Sequence, residues 1–242
     1  MARTSNRTRF LLGGTLLAFV AVADESAGPQ VVLFFGDSLT SGYGVGKANA
    51  FPALVQAQAD SLHCGARIVN AGLAGETTAG GLRRVDWILQ QPVDVFVLEL
   101  GGNDGLRGVP LAETERNLQG IIDRVKKRAP AARLVIAGVR LPPNLGPEYT
   151  EGFHAIFKRL AKANGAGLIS GLLHGVSGDR QLMNADGLHP NVCGHRHVAR
   201  TVWLELAPLL CGRADSPGAA QDLEGGDSGD ATTTEEADDD GE

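Results

Sequence analysis

Apolar residues recur along this chain in two alternating kinds of segment, and their alternation predicts the fold. Five short runs are rich in β-branched or aromatic residues and lack a helical period, as expected of strands buried on both faces. These runs are 31–35, 67–70, 93–100, 133–139 and 167–170. The segments between them place apolar residues every three or four positions, which is typical of amphipathic helices. They are 51–64, a stripe over 82–89, 111–128, 148–164 and 192–210.

This alternation of strand and helix predicts a parallel sheet with right-handed crossovers and helices on both faces. We expect one α/β domain: a three-layer α/β/α arrangement around a five-stranded parallel sheet, with flavodoxin-like connections. The carboxyl ends of all strands then meet at one edge of the sheet, where ligands bind. The segment 140–147 follows the fourth strand and holds three prolines, so we expect a stiff loop without helix there.

Both ends of the chain differ in composition from this domain. Residues 1–23 carry three arginines and no acidic residue, and an apolar run over 10–22 leads into Ala21-Val22-Ala23. This is the pattern of a signal peptide, so we expect cleavage after Ala23 and a periplasmic or secreted protein. An uncleaved interfacial anchor or a buried helix is the alternative. The run is short for a membrane span, and we expect no stable membrane insertion after cleavage.

The charge of the chain is concentrated in its last thirty residues. Residues 213–242 hold eleven acidic residues and one basic residue, whereas residues 24–212 hold 17 acidic and 18 basic residues. The tail has Leu223 as its only large apolar residue, so it cannot bury a core and is expected to be disordered. The domain, 24–212, lacks the excess of basic residues that nucleic-acid binding favours, which indicates a small or neutral partner and no nucleic acid.

Cofactor and metal motifs are absent from the sequence. The glycine-rich segment 41–46 has neither the lysine of a phosphate-binding loop nor the dinucleotide fingerprint, and the cysteines do not have metal-ligand spacing. We therefore expect no cofactor and no metal. Of the three cysteines, Cys193 and Cys211 bracket a segment predicted to be one helix, which places them roughly 27 Å apart, too far for a disulfide. Cys64 could pair with one of them, and the sequence leaves this open.

Five residues are candidates for catalysis. Ser38, Gly72 and Asn103 follow predicted strands, and Asp186 and His189 lie in the last loop. A serine needs a base at neutral pH, and His189 could remove its proton and return it. Asp186, three residues earlier, could accept the Nδ1–H of His189 while Nε2 faces Ser38. The backbone N–H groups of Ser38 and Gly72 and the side-chain amide of Asn103 could form an oxyanion hole.

Each of these residues also has a structural explanation when it is considered alone. Ser38 and Asn103 could cap helices, Gly72 could serve a turn, and 186–189 could be a surface turn. The order of the motifs, each at the end of a strand or in a loop, favours catalysis. Asp37 and Asp104 are expected to be turn residues that accept backbone hydrogen bonds. Trp87 and Trp203 fall within predicted helices and are expected to be packing residues.

The same motifs resemble the four sequence blocks of the SGNH, or GDSL-type, hydrolases. The matching residues are Gly36-Asp37-Ser38-Leu39, Gly72, Gly101-x-Asn103-Asp104 and Asp186-x-x-His189. Residues 99–108 and 140–144 further resemble the bacterial periplasmic thioesterase I/arylesterase/lysophospholipase subgroup. The resemblance covers roughly residues 31–210, and the acidic tail departs from the subgroup.

The resemblance implies a fold that agrees with the predicted one and a serine esterase activity. It implies Ser38 as the nucleophile, His189 as the base and Asp186 as the residue that orients the base. It also implies an oxyanion hole of Ser38, Gly72 and Asn103. The expected substrates are small-molecule acyl thioesters, aryl esters and lysophospholipids; the oligomeric state stays open.

Apolar residues that follow Asn103 and Arg140 could bind an acyl chain, although ordinary loop packing would also explain them. They are Leu106, Val109, Pro110, Leu141 and Pro142. A carbohydrate O-deacetylase of the same fold is an alternative, but two Trp and two Tyr provide few aromatic residues for a sugar site. A non-catalytic binding module is a further alternative, and it would be expected to lack Ser38 or His189, both of which are present.

Overall fold

A computed structural model of the chain describes residues 28–212. The predicted signal peptide over 1–23 and the predicted acidic tail over 213–242 lie outside the described residues. Within 28–212, no helix combines the length and the apolar character that crossing a membrane requires.

The predicted five-stranded parallel sheet is confirmed. Its strands are β1 (Gln30–Gly36), β2 (Ala66–Gly72), β3 (Val95–Glu99), β4 (Arg133–Ala137) and β5 (Gly167–Ile169). Their order across the sheet is β2-β1-β3-β4-β5, and every neighbouring pair is parallel. Strand β1 is therefore an inner strand, and its carboxyl end lies between those of β2 and β3.

Seven helices connect and cover these strands within the described residues. They are α1 (Ser38–Ser41), α2 (Phe51–Ser61), α3 (Thr78–Ile88), α4 (Gly102–Leu106), α5 (Leu111–Arg128), α6 (Pro147–Asn164) and α7 (Val192–Leu210). Short 3₁₀ turns occur at Lys47–Asn49 and Pro143–Leu145. The prediction that 140–147 contains no helix is therefore wrong. Prolines stand at the start of the 3₁₀ turn Pro143–Leu145 and at the start of α6, where their missing N–H needs no acceptor.

The helices pack in two layers, with α2 beside α7 on one face and α3, α5 and α6 together on the other. Adjacent residues of β1 face opposite layers, as the alternation of a strand requires. The ring of Phe34 meets Phe51 of α2 edge-on at 5.4 Å between centroids, while the Arg84 guanidinium of α3 lies over Phe35. This explains why β1 is apolar on both faces from Val31 to Phe35.

Two side-chain arrangements were not specified by the sequence. Trp87 is 68% exposed, so the prediction that it packs is wrong; on α3 the buried face includes Val85 and Ile88. Trp203 does pack against the core. Cys64 and Cys211 form a disulfide, which resolves the pairing that the sequence left open, and Cys193 is free and exposed.

Candidate active site

The turn after β1 places Ser38 at the carboxyl edge of the sheet. Asp37 caps α1 by accepting the N–H of Leu39 through Oδ1, at 3.0 Å. The backbone N–H of Ser38 belongs to the first turn of α1, so it has no acceptor within that helix. Ser38 is 9% exposed, with its hydroxyl directed at the last loop of the domain.

Ser38, His189 and Asp186 form a continuous series of hydrogen bonds. His189 Nε2 lies 2.9 Å from Ser38 Oγ, and His189 Nδ1 lies 2.7 Å from Asp186 Oδ2. The other oxygen of Asp186, Oδ1, accepts the backbone N–H groups of Leu188 and His189 at 2.9 and 3.0 Å. The aspartate is thus positioned by the turn that also carries the histidine.

The carboxylate of Asp186 is stabilised in its ionised form. Partial burial raises the pKa of Asp186, but the backbone N–H groups of His189 and Leu188 and the ring of His189 outweigh it and lower the pKa to about 2. The carboxylate therefore remains negative over the range in which a histidine ordinarily titrates. It can stabilise a proton on the imidazole.

Tyr43 contacts the imidazole and was not among the predicted site residues. Its ring centroid lies 4.7 Å from that of His189, and the two planes are tilted by 48°. Its position in the glycine-rich segment 41–46, a few residues after Ser38, is the signal that could have identified it. The backbone of His189 is fixed separately, because its carbonyl accepts the N–H of Asn184 at 2.8 Å.

A cavity of about 620 Å³ opens beside Ser38, Asn103 and His189. The amide of Asn103 bonds within the protein: Nδ2 donates to Asp37 Oδ2 at 3.2 Å and to the carbonyl of Glu76 at 3.0 Å. Two of the three predicted oxyanion donors are therefore carried by residues in the cavity wall.

Gly72, the third predicted donor, does not line this cavity. Its N–H donates to Asn70 Oδ1 at 3.0 Å. A β-carbon at position 72 would lie 2.3 Å from the backbone nitrogen of Ser41, so glycine is required here for α1 to approach β2.

The structure brings three of the five predicted acyl-binding residues to the cavity. Leu106, Leu141 and Pro142 line it, whereas Val109 and Pro110 do not. The Val109 carbonyl instead accepts the hydroxyl of Tyr149 at 2.7 Å, and Pro110 immediately precedes α5.

Further lining residues include Leu173 and His174, which lie in a loop after β5 that carries no recognisable motif. Leu188, also in the lining and 43% exposed, is a variable position of the Asp186-x-x-His189 motif. The residue types at these positions could not distinguish them from ordinary loop residues.

The two predicted turn aspartates do accept backbone hydrogen bonds. Asp37 accepts from Leu39 as described, and Asp104 Oδ2 accepts the N–H of Thr78 at 2.8 Å. Among residues 28–212, no group of three or more His, Cys, Asp or Glu side chains is arranged to bind a metal ion.

The fold, the position of Ser38 and the triad-like series define an SGNH-type hydrolase. Residues 34–197 match the GDSL-like Lipase/Acylhydrolase family, and the chain belongs to this family. The family resemblance and the subgroup resemblance seen in the sequence are both confirmed.

Named relatives cover nearly the whole domain. Esterase TesA of Pseudomonas aeruginosa is 36% identical over 203 residues, which are 84% of this chain and 100% of TesA. Thioesterase 1/protease 1/lysophospholipase L1 of Escherichia coli K12 is 36% identical over 195 residues, 80% of this chain and 91% of that protein. An arylesterase of Vibrio mimicus is 32% identical over 197 residues, 81% of this chain and 98% of that protein.

The structural comparison agrees with the relatives. The crystal structure of TesA matches with a TM-score of 0.72 at 35% identity, covering 75% of this chain and 100% of TesA. Family membership and the similarity to these named enzymes identify the chain as an ester hydrolase.

Proposed function

We propose that this protein is a serine esterase that hydrolyses acyl esters and thioesters through an acyl-enzyme intermediate. The observation that carries the proposal is the series from Asp186 Oδ2 through His189 to Ser38 Oγ, which ends at an apolar cavity. The names of the relatives, which include esterase, thioesterase, lysophospholipase and arylesterase, support these substrate classes.

In the first half of the reaction, Ser38 Oγ attacks the acyl carbon while its proton passes to His189 Nε2. Asp186 stabilises the imidazolium that forms. The tetrahedral intermediate collapses when the C–O or C–S bond breaks, and His189 returns its proton to the leaving alkoxide or thiolate. In the second half, His189 removes a proton from water as the water oxygen attacks the acyl carbon. The bond between this carbon and Ser38 Oγ then breaks, and His189 returns its proton to Ser38 Oγ.

The developing oxyanion would be stabilised by the N–H of Ser38 and the amide of Asn103. Of the two bonds made by Asn103 Nδ2, the one to Asp37 is longer, at 3.2 Å, and is the one that would share its hydrogen with the oxyanion. Catalytic hydrogen bonds often tighten only when substrate binds. We propose Gly72 as a third donor, which contributes when its N–H donates to the oxyanion instead of to Asn70 Oδ1.

The cavity suits an acyl chain better than a sugar. Its volume of about 620 Å³ lies within the ordinary range of ligand pockets, and Leu106, Leu141 and Pro142 form part of its wall. Leu106 is 44% exposed, so part of the apolar wall is open to solvent until a chain covers it. A small-molecule ester or thioester is therefore the proposed partner.

We propose that the protein is exported to the periplasm or secreted. The support is the signal-peptide pattern over 1–23, with cleavage after Ala23, and the Cys64–Cys211 disulfide. Disulfides persist in oxidising compartments and are rare in the cytosol. Mass spectrometry of the exported protein tests this, because a chain that still begins at Met1 would contradict cleavage.

The catalytic proposal is tested with p-nitrophenyl esters of increasing chain length and with acyl-CoA thioesters. Ser38→Ala is expected to lose about 10³-fold or more in kcat, while Ser61→Ala, a matched change on an outer helix, retains wild-type rates. Equal rates in wild type and Ser38→Ala would refute the serine mechanism. A clear preference for acetyl over longer acyl groups would instead favour the O-deacetylase alternative.

A further inference from the structure

Two acidic side chains are buried together behind Ser38, and the proposed reaction uses neither of them as acid, base or nucleophile. Asp37 is 2% exposed and Glu99 is 0% exposed. Glu99 is the last residue of β3 and is paired in register with Gly36 of β1. The order of the strands therefore places this carboxyl group against the turn that carries the nucleophile.

The contacts of Glu99 are unequal at its two oxygens. Oε2 accepts the hydroxyl of Thr40 at 2.7 Å and the N–H of Asp37 at 3.3 Å. Oε1 is buried and receives no hydrogen bond from any donor in the described residues. A β-carbon on Gly36 would lie 2.6 Å from Oε2, so the glycine makes room for the carboxyl group.

Asp37 has donors at both of its oxygens. Oδ1 accepts the N–H of Leu39 at 3.0 Å, and Oδ2 accepts Asn103 Nδ2 at 3.2 Å. Its carboxyl group is buried beside that of Glu99, since the N–H of Asp37 itself donates to Glu99 Oε2. The charged or titratable groups that act on this pair are the two carboxyl groups themselves and His189, from the last loop.

Two adjacent buried carboxyl groups are not expected to be ionised together. Burial raises the pKa of Asp37 to about 6, and burial together with the negative charge of Asp37 raises the pKa of Glu99 well above its ordinary value. The donors to Asp37 favour its ionised form, whereas an ionised Glu99 would leave Oε1 charged and without a donor. The proton therefore belongs on Glu99.

We propose that Glu99 is a positioning residue, held as a neutral acid that donates its proton to the Asp37 carboxylate. Through Asp37 it fixes the turn that carries Ser38 and the orientation of the Asn103 amide. The role in catalysis rests on the proposed serine esterase function, whereas the protonation state does not.

The proposal requires a neutral donor and acceptor at position 99 rather than a negative charge. Glutamine provides both, because its NH₂ group can donate to Asp37 while its carbonyl accepts from Thr40. Methionine has a similar volume and can do neither. Thr114→Val is a control for a polar group removed elsewhere in the core, since Thr114 is fully buried on α5 and its hydroxyl has no partner among the described residues.

The first test is steady-state kinetics of Glu99→Gln, Glu99→Met and Thr114→Val in the full chain, with folding checked by thermal unfolding. We expect Glu99→Gln and Thr114→Val to retain kcat within about threefold. We expect Glu99→Met to lose about ten- to a hundredfold in kcat with KM changed less than about threefold, which is less than removal of an oxyanion donor itself. If Glu99→Met does not fold, Glu99→Gln and the spectroscopic test decide.

The second test is infrared spectroscopy at pH 7, which does not depend on catalysis. Wild type should show the carbonyl stretch of a protonated carboxylic acid, and Glu99→Gln should lack it. Absence of this band from wild type, or a loss of kcat in folded Glu99→Gln equal to that in Glu99→Met, would overturn the proposal. Failure of the serine mechanism would be seen separately, as full activity in Ser38→Ala.

Discussion

Removal of the Cys64–Cys211 disulfide is expected to destabilise the domain without changing its active site. The bridge joins residues 147 positions apart and connects the chain after α2 to the end of α7. It lies near the amino ends of the strands, since the neighbouring Gly65 carbonyl accepts the N–H of Gln30 at the start of β1. Ser38 lies at the opposite edge of the sheet.

The magnitude follows from the length of the closed loop. In the chain-entropy description, a loop of about 148 residues lowers the entropy of the unfolded chain by about 17 cal/mol/K, or about 5 kcal/mol at 25 °C. Measured effects are often smaller, so we expect the free energy of unfolding to fall by about 3–5 kcal/mol. For a domain of this size this corresponds to a decrease in Tm of roughly 6–20 °C.

The assay is urea unfolding of wild type, the double variant Cys64→Ser/Cys211→Ser, and Cys193→Ser as a control. Wild type with reductant should behave like the double variant, and Cys193→Ser should match oxidised wild type because Cys193 is free and exposed. The double variant should keep its kcat at 25 °C. A double variant within about 0.5 kcal/mol of wild type would refute the reasoning.

Two further predictions concern pH and substrate length. His195 is buried, and its burial, together with the charge of His189, lowers its pKa to about 4. An unfolded histidine titrates near 6.5, so the unfolded state takes up a proton first as the pH falls. The free energy of unfolding therefore decreases between pH 6.5 and 4, by about 3 kcal/mol at most. His195→Asn, which keeps an acceptor for the Phe51 N–H, should show a flatter dependence in urea unfolding at pH 7 and 4.5, and equal slopes would contradict this. Leu106→Ser should lower kcat/KM for octanoyl relative to acetyl p-nitrophenyl esters by about five- to thirtyfold, from about 1–2 kcal/mol of lost apolar contact. Val109→Ser, outside the cavity, should leave the ratio unchanged, and an equal loss for all chain lengths in Leu106→Ser would argue against acyl-chain binding there.

The helices with correctly predicted bounds are those with strong signals at their ends. Helices α5 and α7 match the predicted 111–128 and 192–210; α5 follows a proline, and the side chain of Asn191 caps α7. Helices α1 and α4 have only four and five residues, too few for a helical period to show. Strand β3 is shorter than the predicted 93–100. Val93 and Leu100 are buried and apolar like the residues of the strand, but they lie outside its paired part.

The three residues of the predicted triad could be proposed from the sequence because their motifs stand in order at strand ends and in the last loop, and the structure places their side chains within hydrogen-bond distance of one another. The acyl-binding residues depend on local geometry that the sequence does not show. Leu106 ends α4 and lines the cavity, but the chain then turns at Gly108, whose φ is +68°, and leaves the cavity before Val109. The disulfide likewise depends on which ends of α2 and α7 meet.

The contacts that support the proposed nucleophile depend on strand order, which explains why they were not evident from the sequence. Thr40 is fully buried on α1 and is held from both sides: its carbonyl accepts Asn70 Nδ2 of β2 at 2.8 Å, and its hydroxyl donates to Glu99 of β3 at 2.7 Å. These contacts arise because β1 lies between β2 and β3. Since α1 also carries Ser38, both neighbouring strands set the position of the proposed nucleophile, one through an amide and the other through Glu99, which we propose to be a neutral hydrogen-bond donor.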